Sequence, residues 1–242
     1  MKRAGVKMDA GKYDEALTLF DKALALDPAA VDALHHRANL HMLKEKPKEA
    51  KEDLLLCLQL CPDHVSAHLR LATLFMATQD LPNAKKHIDL AENLDPESSE
   101  VHSYRGEMYF SEGNLEEARN AFDTAVECDS TNAAPLVNSA LAIMNTPGKG
   151  GGPPEFLEAI SMLEKAVIVE PQFLQAYVHL GQLKLSMATD LTIAKEVIAL
   201  YDKGMTYCKG ADDFREILSM RILAIAQVEG ASMLKMETLN MQ

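Results

Sequence analysis

ALALDPAA (Ala23–Ala30), CLQLCPDH (Cys57–His64) and AENLDPES (Ala91–Ser98) recur at steps of 34 residues. Self-similarity at a fixed period of this length marks one supersecondary unit used repeatedly, because a unit that cannot bury its apolar face alone buries it against the next copy. Numbering each copy from 1 to 34, with Val31 and Val65 as first residues, aligns four columns over five copies. Position 20 is Ala16, Ala50, Ala84, Ala118 and Ala159, a small side chain where the two helices of a unit come closest. Position 24 is Phe20, Leu54, Ile88, Phe122 and Leu163, and position 27 is Ala23, Cys57, Ala91, Ala125 and Ala166. Position 32 is Pro28, Pro62, Pro96, Ser130 and Pro171, where proline stops the second helix of a unit and lets the next unit begin.

This period and these columns resemble the tetratricopeptide repeat superfamily. The resemblance implies an all-α chain without strands, a right-handed α-solenoid superhelix of about six to seven helix pairs whose A helices line the concave side. The copies run over 1–30, 31–64, 65–98, 99–132, 133–173 and 174–210, with capping helices over 211–242, in a single solenoid domain. The first copy lacks its first four positions, as an excised piece of a longer protein would. The fifth carries about seven extra residues around NTPGKGGGPP (Asn145–Pro154), read as a mobile loop because its Gly and Pro content forbids regular helix. Its GKGGG lacks the spaced glycine, the following Ser or Thr and the preceding strand of a phosphate-binding loop. The sixth loses strict spacing after LGQLKL (Leu180–Leu185), and Asp212–Met241 reads as two helices broken near Gly230. These form a cap whose outer face is expected to be polar.

Composition fits many short helices: 48% of residues are apolar, only 5% are aromatic, and Trp is absent. A formal net charge of −12 argues against nucleic-acid binding, which needs clustered Lys and Arg, and favours basic or amphipathic peptides as partners. No apolar run approaches the roughly 18 to 20 residues that cross a bilayer, the densest patch being LLLCLQLC (Leu54–Cys61). No secretory signal is present, which points to a reducing compartment. Cys57, Cys61, Cys128 and Cys208 therefore read as buried free thiols, with no second ligand pair for zinc. His64 and His68 have metal-like spacing but straddle an inter-helix turn, so no metal and no cofactor is expected. No nucleophile, base and orienting group recur together, and catalysis is not expected.

In such an array positions 2, 5, 9, 12 and 13 of each copy face the groove. Position 12 is Met8, Met42, Met76, Phe110, Met144 and Leu185, an apolar column suited to varied apolar partners because Met is unbranched and polarizable. The competing reading is a core column between helices. Core positions 4, 8, 11, 20, 24 and 27 are already filled, which favours exposure. The cargo groove is accordingly assigned to Met42, Met76, Phe110, Met144 and Leu185, with Leu69, Glu107, Leu141 and Val178 beside them. Further groove positions are Asp32, His35, Asn39, Thr73, Glu100, Ser103, Val137 and Gln182, giving an apolar centre with acidic spots for a basic amphipathic helix. A carboxylate clamp, as tetratricopeptide grooves use for acidic chaperone tails, needs Lys, Asn, Asn, Lys and Arg. Met1, Gly5, Asn39, Leu69 and Thr73 stand in those places, so a terminal carboxylate lacks its charge-assisted partners.

Three stretches carry a narrower likeness: ALHHRANLHM (Ala33–Met42), SYRGEMYFSEGNLEEARNAFDTAV (Ser103–Val126) and APLVNSALAIMN followed by FLEAISMLEKAV (Phe156–Val167). With the ending YDKGMTYCKGADDFREILSMRILAIAQVE, they resemble the C-terminal, preprotein-binding region of the seventy-kilodalton import receptors of the mitochondrial outer-membrane translocase. The resemblance implies a non-enzymatic receptor at the cytosolic face of that membrane, recognising precursor proteins with hydrophobic or amphipathic segments and meeting other translocase subunits. Chaperone and membrane contacts would belong to a missing N-terminal region with the clamp and anchor. The alternative is a cytosolic cochaperone or assembly scaffold. Arg37 and Arg105 stand at position 7, normally Leu, where their stems pack while their heads reach solvent or cargo.

Overall fold

The computed structural model describes residues 2–146, 153–188 and 191–240, and among these there are thirteen helices and no strand. The fold is that of a tetratricopeptide α-solenoid. Its A helices are α1 (Lys2–Asp9), α3 (Val31–Leu43), α5 (Val65–Ala77), α7 (Ser99–Glu112), α9 (Ala133–Asn145) and α11 (Leu174–Ser186). Its B helices are α2 (Tyr13–Leu26), α4 (Pro47–Leu60), α6 (Leu81–Leu94), α8 (Leu115–Cys128), α10 (Pro153–Val169) and α12 (Leu191–Met205), followed by α13 (Ala211–Asn240). Most of the insertion expected over Asn145–Pro154 lies outside the described residues. No described helix is long and apolar enough to cross a membrane.

Local chemistry explains the alternation. Gly11, Glu45, Gln79 and Gly113 stand 34 residues apart and all have positive φ, between 55° and 79°. After the first three, the amides of Lys12, Lys46 and Asp80 reach back to the carbonyls of Lys7, His41 and Phe75 at 2.8, 2.8 and 2.9 Å, which satisfies carbonyls left over at the helix end. Pro47 and Pro82 then sit in the first turn of α4 and α6, where a missing N–H costs nothing. At the far end of each B helix, the amides of Asp27, Cys61, Asp95, Asp129 and Glu170 donate to the carbonyls of the position-27 residues at 2.8 to 3.0 Å.

The chain packs as two compact units, residues 1–112 and 113–242. In the first, Ala16, Phe20, Ala38, Leu54 and Cys57 belong to one buried cluster, and Ala72, Ala84, Ile88 and Met108 to another. In the second, Ala140, Ala159, Leu163 and Ala166 pack with Tyr177 and Leu180. All five position-20 alanines are fully buried.

The sixth repeat departs from the pattern in a specific way. Ala194, one residue later than strict spacing, is buried as the small residue of its B helix, and Tyr201 follows seven residues on, where the other repeats have Ala or Cys. Gly181 makes room for it: a Cβ there would stand 2.3 Å from the Tyr201 ring. Tyr177 likewise lies over Gly204, whose Cβ would approach it to 3.0 Å.

Two expectations for the C-terminus and one for the cysteines are corrected. α13 runs as a single helix through Gly230 rather than breaking there. It packs Ile217 and Ala224 against Val178, Val197 and Tyr201, and Arg221 bonds Asp202 at 2.5 Å. Its outer side is mixed, with Phe214, Ile222 and Leu223 exposed beside Arg215, Glu216 and Gln227. Only Cys57 is a buried thiol, with Cys61 and Cys208 half-buried and Cys128 exposed at the end of its helix. Burial pushes the Cys57 thiol up to about 11, which keeps it protonated and unreactive.

Candidate functional site

The position-7 arginines are occupied. Arg37 places Nε and Nη2 on the two carboxylate oxygens of Asp53 at 2.8 and 2.6 Å, and Nη1 on Asp21 at 2.8 Å. Arg105 bonds Asp89 at 2.8 Å and also reaches Glu92. Ser139 donates to Asp123 at 2.7 Å in the same relation, each pair being 16 residues apart. An Asp at position 25 of one repeat thus holds a polar position-7 residue of the next. The heads bind this carboxylate row instead of reaching freely for solvent or cargo. The signal was legible as Asp21, Asp89 and Asp123 in one column.

On the A-helix face of the first unit, Leu69 at position 5 does not face outward. Leu69 is fully buried against Val101, with Val65 and Tyr104 around it, so it packs the next A helix and is withdrawn from the predicted groove. Met76 is only 9% exposed and belongs to the cluster of Ala72, Ile88 and Met108. Met42 and Phe110 are half-buried, and Met42 also packs on the core. The position-12 column in this unit is therefore a core edge with three partly accessible members, Met8, Met42 and Phe110.

Beside them lies a polar cluster that the groove positions understated, because its centre is at position 6. Arg70 Nη1 donates to the Tyr104 hydroxyl at 2.5 Å, its guanidinium lies 5.8 Å from the Tyr104 ring, and Nη2 stands 3.8 Å from Glu100. Arg70 Nε and Asn39 Oδ1 are buried without a partner among the described residues. Glu107 is exposed, yet surrounding protein raises its pKa, with Arg70 pulling the other way. Burial likewise raises that of Tyr104. His35 lies 3.5 Å from the Asn39 amide, and its ring centroid is 4.9 Å from that of His64. Burial, then the nearby His64, His36 and Arg70, lowers the His35 pKa to about 4, so it is neutral at pH 7.

His64 and His68 do not converge on a metal. His64 Nδ1 accepts the Ala67 amide at the start of α5. His68 Nε2 lies 3.0 Å from the Pro62 carbonyl, so it carries the proton and donates, leaving Nδ1 to accept from His87 Nδ1 at 2.9 Å. Burial and His68 push His87 down to about 4, and its ring stacks on Phe75. No group of three possible metal ligands occurs among the described residues.

In the second unit Leu141, Met144 and Leu185 are half-buried, while Val137 and Val178 are buried. Val178 is withdrawn from the predicted groove for the same reason as Leu69: position 5 packs the following helix, here Ile217 of α13. Gln175 and Gln182 reach Glu216 and Met220 of α13 at 3.4 Å. α13 thus covers the face of α11 that was expected to stay open.

Residues 6–44 match the family model described as TPR repeat, and residues 28–145 match the one described as tetratricopeptide repeat-like domain. Comparison with curated proteins gives no match. Among solved structures, the chain is similar to yeast Tom70 at 23% identity and TM-score 0.74, over 88% of this chain and 43% of that one. It therefore spans less than half the length of that relative. A tetratricopeptide repeat protein from Parabacteroides merdae matches at 17% identity and TM-score 0.70, over 90% and 81% of the two chains. A chain of the APC/C Cut9–Hcn1 hetero-tetramer matches at 15% identity and TM-score 0.67, over 90% and 40%. At these identities the likeness concerns the fold.

Proposed function

From the premise that residues 6–145 carry tetratricopeptide repeats, a protein-interaction scaffold, we propose that this protein is a non-enzymatic receptor for amphipathic polypeptide segments. The observation that carries the reading is the A-helix face of the first unit. There, half-buried Met42 on α3 and Phe110 on α7 flank the polar cluster of Asn39, Arg70, Tyr104 and exposed Glu107, so an apolar and a polar contact lie on one face. The acidic residues Asp32, Glu100 and Glu107 favour a basic flank on the ligand, and the cluster's Arg70 is already engaged by Glu100 and Tyr104. An acidic chaperone tail is accordingly not the ligand this cluster suits.

The cargo is a mitochondrial precursor protein with a hydrophobic or amphipathic segment, and the setting is the cytosolic face of the outer membrane. The sequence likeness to the import receptors supports this, as does the fold shared with yeast Tom70. Leu141, Met144 and Leu185 are the corresponding candidate residues of the second unit. An assembly scaffold holding one dedicated partner is the second reading, favoured by the likeness to a subunit of the Cut9–Hcn1 tetramer.

Capture of translated precursors tests both. The double variant Met42→Glu/Phe110→Glu is expected to keep its helical circular dichroism and lose precursor binding about tenfold, a change of roughly 1.4 kcal/mol. Undiminished capture sinks the reading, and failure of the native chain to retain any precursor favours the dedicated scaffold. Met76→Glu is unsuitable for this purpose, because a carboxylate buried there would unfold the unit.

A further inference from the structure

Acidic residues outnumber basic ones 36 to 24 in this chain, yet lysines without a carboxylate in ion-pair range among the described residues gather on two B helices. Lys46, Lys48 and Lys51 stand near the start of α4, and Lys85 and Lys86 near the start of α6, all exposed. Asp53 and Asp89 on these helices are taken by Arg37 and Arg105, which leaves Glu49 and Glu52 beside the lysines. α4 and α6 both pack on α5, and its Phe75 is reached from both. Lys51 Nζ lies 4.5 Å from the Phe75 ring centroid, and the His87 ring stacks on it at 5.6 Å. Each flank continues as an apolar line in steps of four: Leu55 follows Lys51 on α4, and Leu90 and Leu94 follow Lys86 on α6. These leucines are 39 to 41% exposed. The strip between the two helices is therefore cationic at one end, where the helix dipoles add positive charge, and apolar along its length.

Shape and charge together select the occupant. A bilayer would meet the crests of α4 and α6 first, and there Glu52, Gln59 and Asn93 stand exposed, opposite buried Leu54 and Ala91. A surface that lies on a membrane turns an apolar face to it, and these crests are polar. A single helix, about 10 Å across, reaches the flanks between them. We propose that the strip between α4 and α6 docks an amphipathic helix of a protein partner, with its apolar residues on Leu55, Leu90 and Leu94 and its acidic C-terminal end over Lys51 and Lys86. The docked helix's own dipole, negative at that end, favours the same orientation. This partner is opposite in charge to the basic ligand of the A-helix face, so the first unit sorts its two ligands by sign. His87 reports on the contact. Burial, then His68, Lys86 and Lys51, lower its pKa, and a carboxylate brought to the two lysines opposes their part of that effect.

Fluorescence anisotropy tests it with a labelled, C-terminally amidated peptide of 14 residues, the length of α4 and of α6. The peptide carries Leu at alternating steps of three and four and Glu in its last turn, and a counterpart carries Lys in place of Glu. The acidic peptide is expected to bind about tenfold more tightly than the basic one. Lys51→Gln/Lys86→Gln should abolish that preference. Leu90→Gln/Leu94→Gln should weaken both peptides about tenfold with unchanged circular dichroism, since both leucines are exposed. His87, followed by NMR, should titrate at higher pH with the acidic peptide bound. No binding, no preference for the acidic peptide, or a preference that survives loss of the lysines overturns the proposal. Binding lost in Met42→Glu/Phe110→Glu and kept in the leucine variant overturns it too, by placing the peptide on the A-helix face. Retention by vesicles of phosphatidylcholine and phosphatidylserine through Lys51 and Lys86, without peptide binding, gives the strip to a lipid surface and overturns it equally. Precursor capture through Met42 and Phe110 does not depend on these residues, so failure here leaves the binding reading above untouched.

Discussion

Repeats two and six close the same helix crossing with opposite materials. In repeat two, Ala38 of α3 and Cys57 of α4 share a buried cluster, and neighbouring Arg37 is held by Asp53, itself only 5% exposed. In repeat six, Gly181 stands where Ala38 does and Tyr201 where Cys57 does, while Leu180 replaces the arginine. The ring gained on one helix is admitted by the Cβ lost from the other, because interiors are filled at crystal-like density and leave no slack at the crossing. The polar staple is likewise optional: it exists where a position-25 Asp faces it and is replaced by apolar contact elsewhere.

The largest effect is expected from breaking the staple of repeat two. Arg37→Met strands the Asp53 carboxylate in a nearly dry site and should cost about 3 kcal/mol or more in urea unfolding. Arg37→Met/Asp53→Leu should recover most of that loss. A single variant that costs under about 1 kcal/mol would mean that water replaces the guanidinium and that the staple is ornamental.

The matching break in repeat six is Gly181→Ala, which sets a methyl against a fully buried Tyr201 ring that cannot swing aside. Overpacking should outweigh the gain in helix propensity and cost about 2 kcal/mol. In a Tyr201→Leu background the same substitution should cost under about 0.5 kcal/mol, and this difference measures the coupling of the two positions. Equal costs in the two backgrounds would refute the steric dependence of Tyr201 on Gly181.

Acid should act on repeats two and three, which hold His35 and His87. His35 and His87 titrate near 4 when folded, against an ordinary 6.5, so the unfolded chain takes up protons first. Their contribution is complete above about pH 6.5 and falls away as pH drops toward 4. Stability should decline on the order of 1 to 2 kcal/mol between pH 7 and 5, and His87→Phe should flatten part of that slope. A pH-independent unfolding midpoint over this range would show that these imidazoles protonate without strain.

The smallest effect sharpens the comparison from the other side. Tyr201 Oη is buried without a partner among the described residues, and burial pushes its pKa up to about 12. Tyr201→Phe keeps the ring over Gly181 and removes the stranded hydroxyl, so thermal unfolding should rise by the equivalent of about 0.5 to 1 kcal/mol. A loss instead would reveal an ordered water on the hydroxyl.

The sequence by itself determined the helix pairs, since the 34-residue period, the position-20 alanines and the position-32 prolines are local consequences of close helix approach and chain stiffness. It also contained the Asp column of the staples, in plain register. It could not say which A-helix positions stay open. Leu69 and Val178 occupy formal groove positions, but their exposure depends on how far the next helix leans over them, and that is set by side chains far along the chain, Val101 and Ile217. The same holds for Arg70, whose pairing with Tyr104 and Glu100 forms only once α5 and α7 are side by side. Periodicity reports what each residue can pack against, and tertiary structure alone decides what covers it, because burial is a property of the neighbour as much as of the residue.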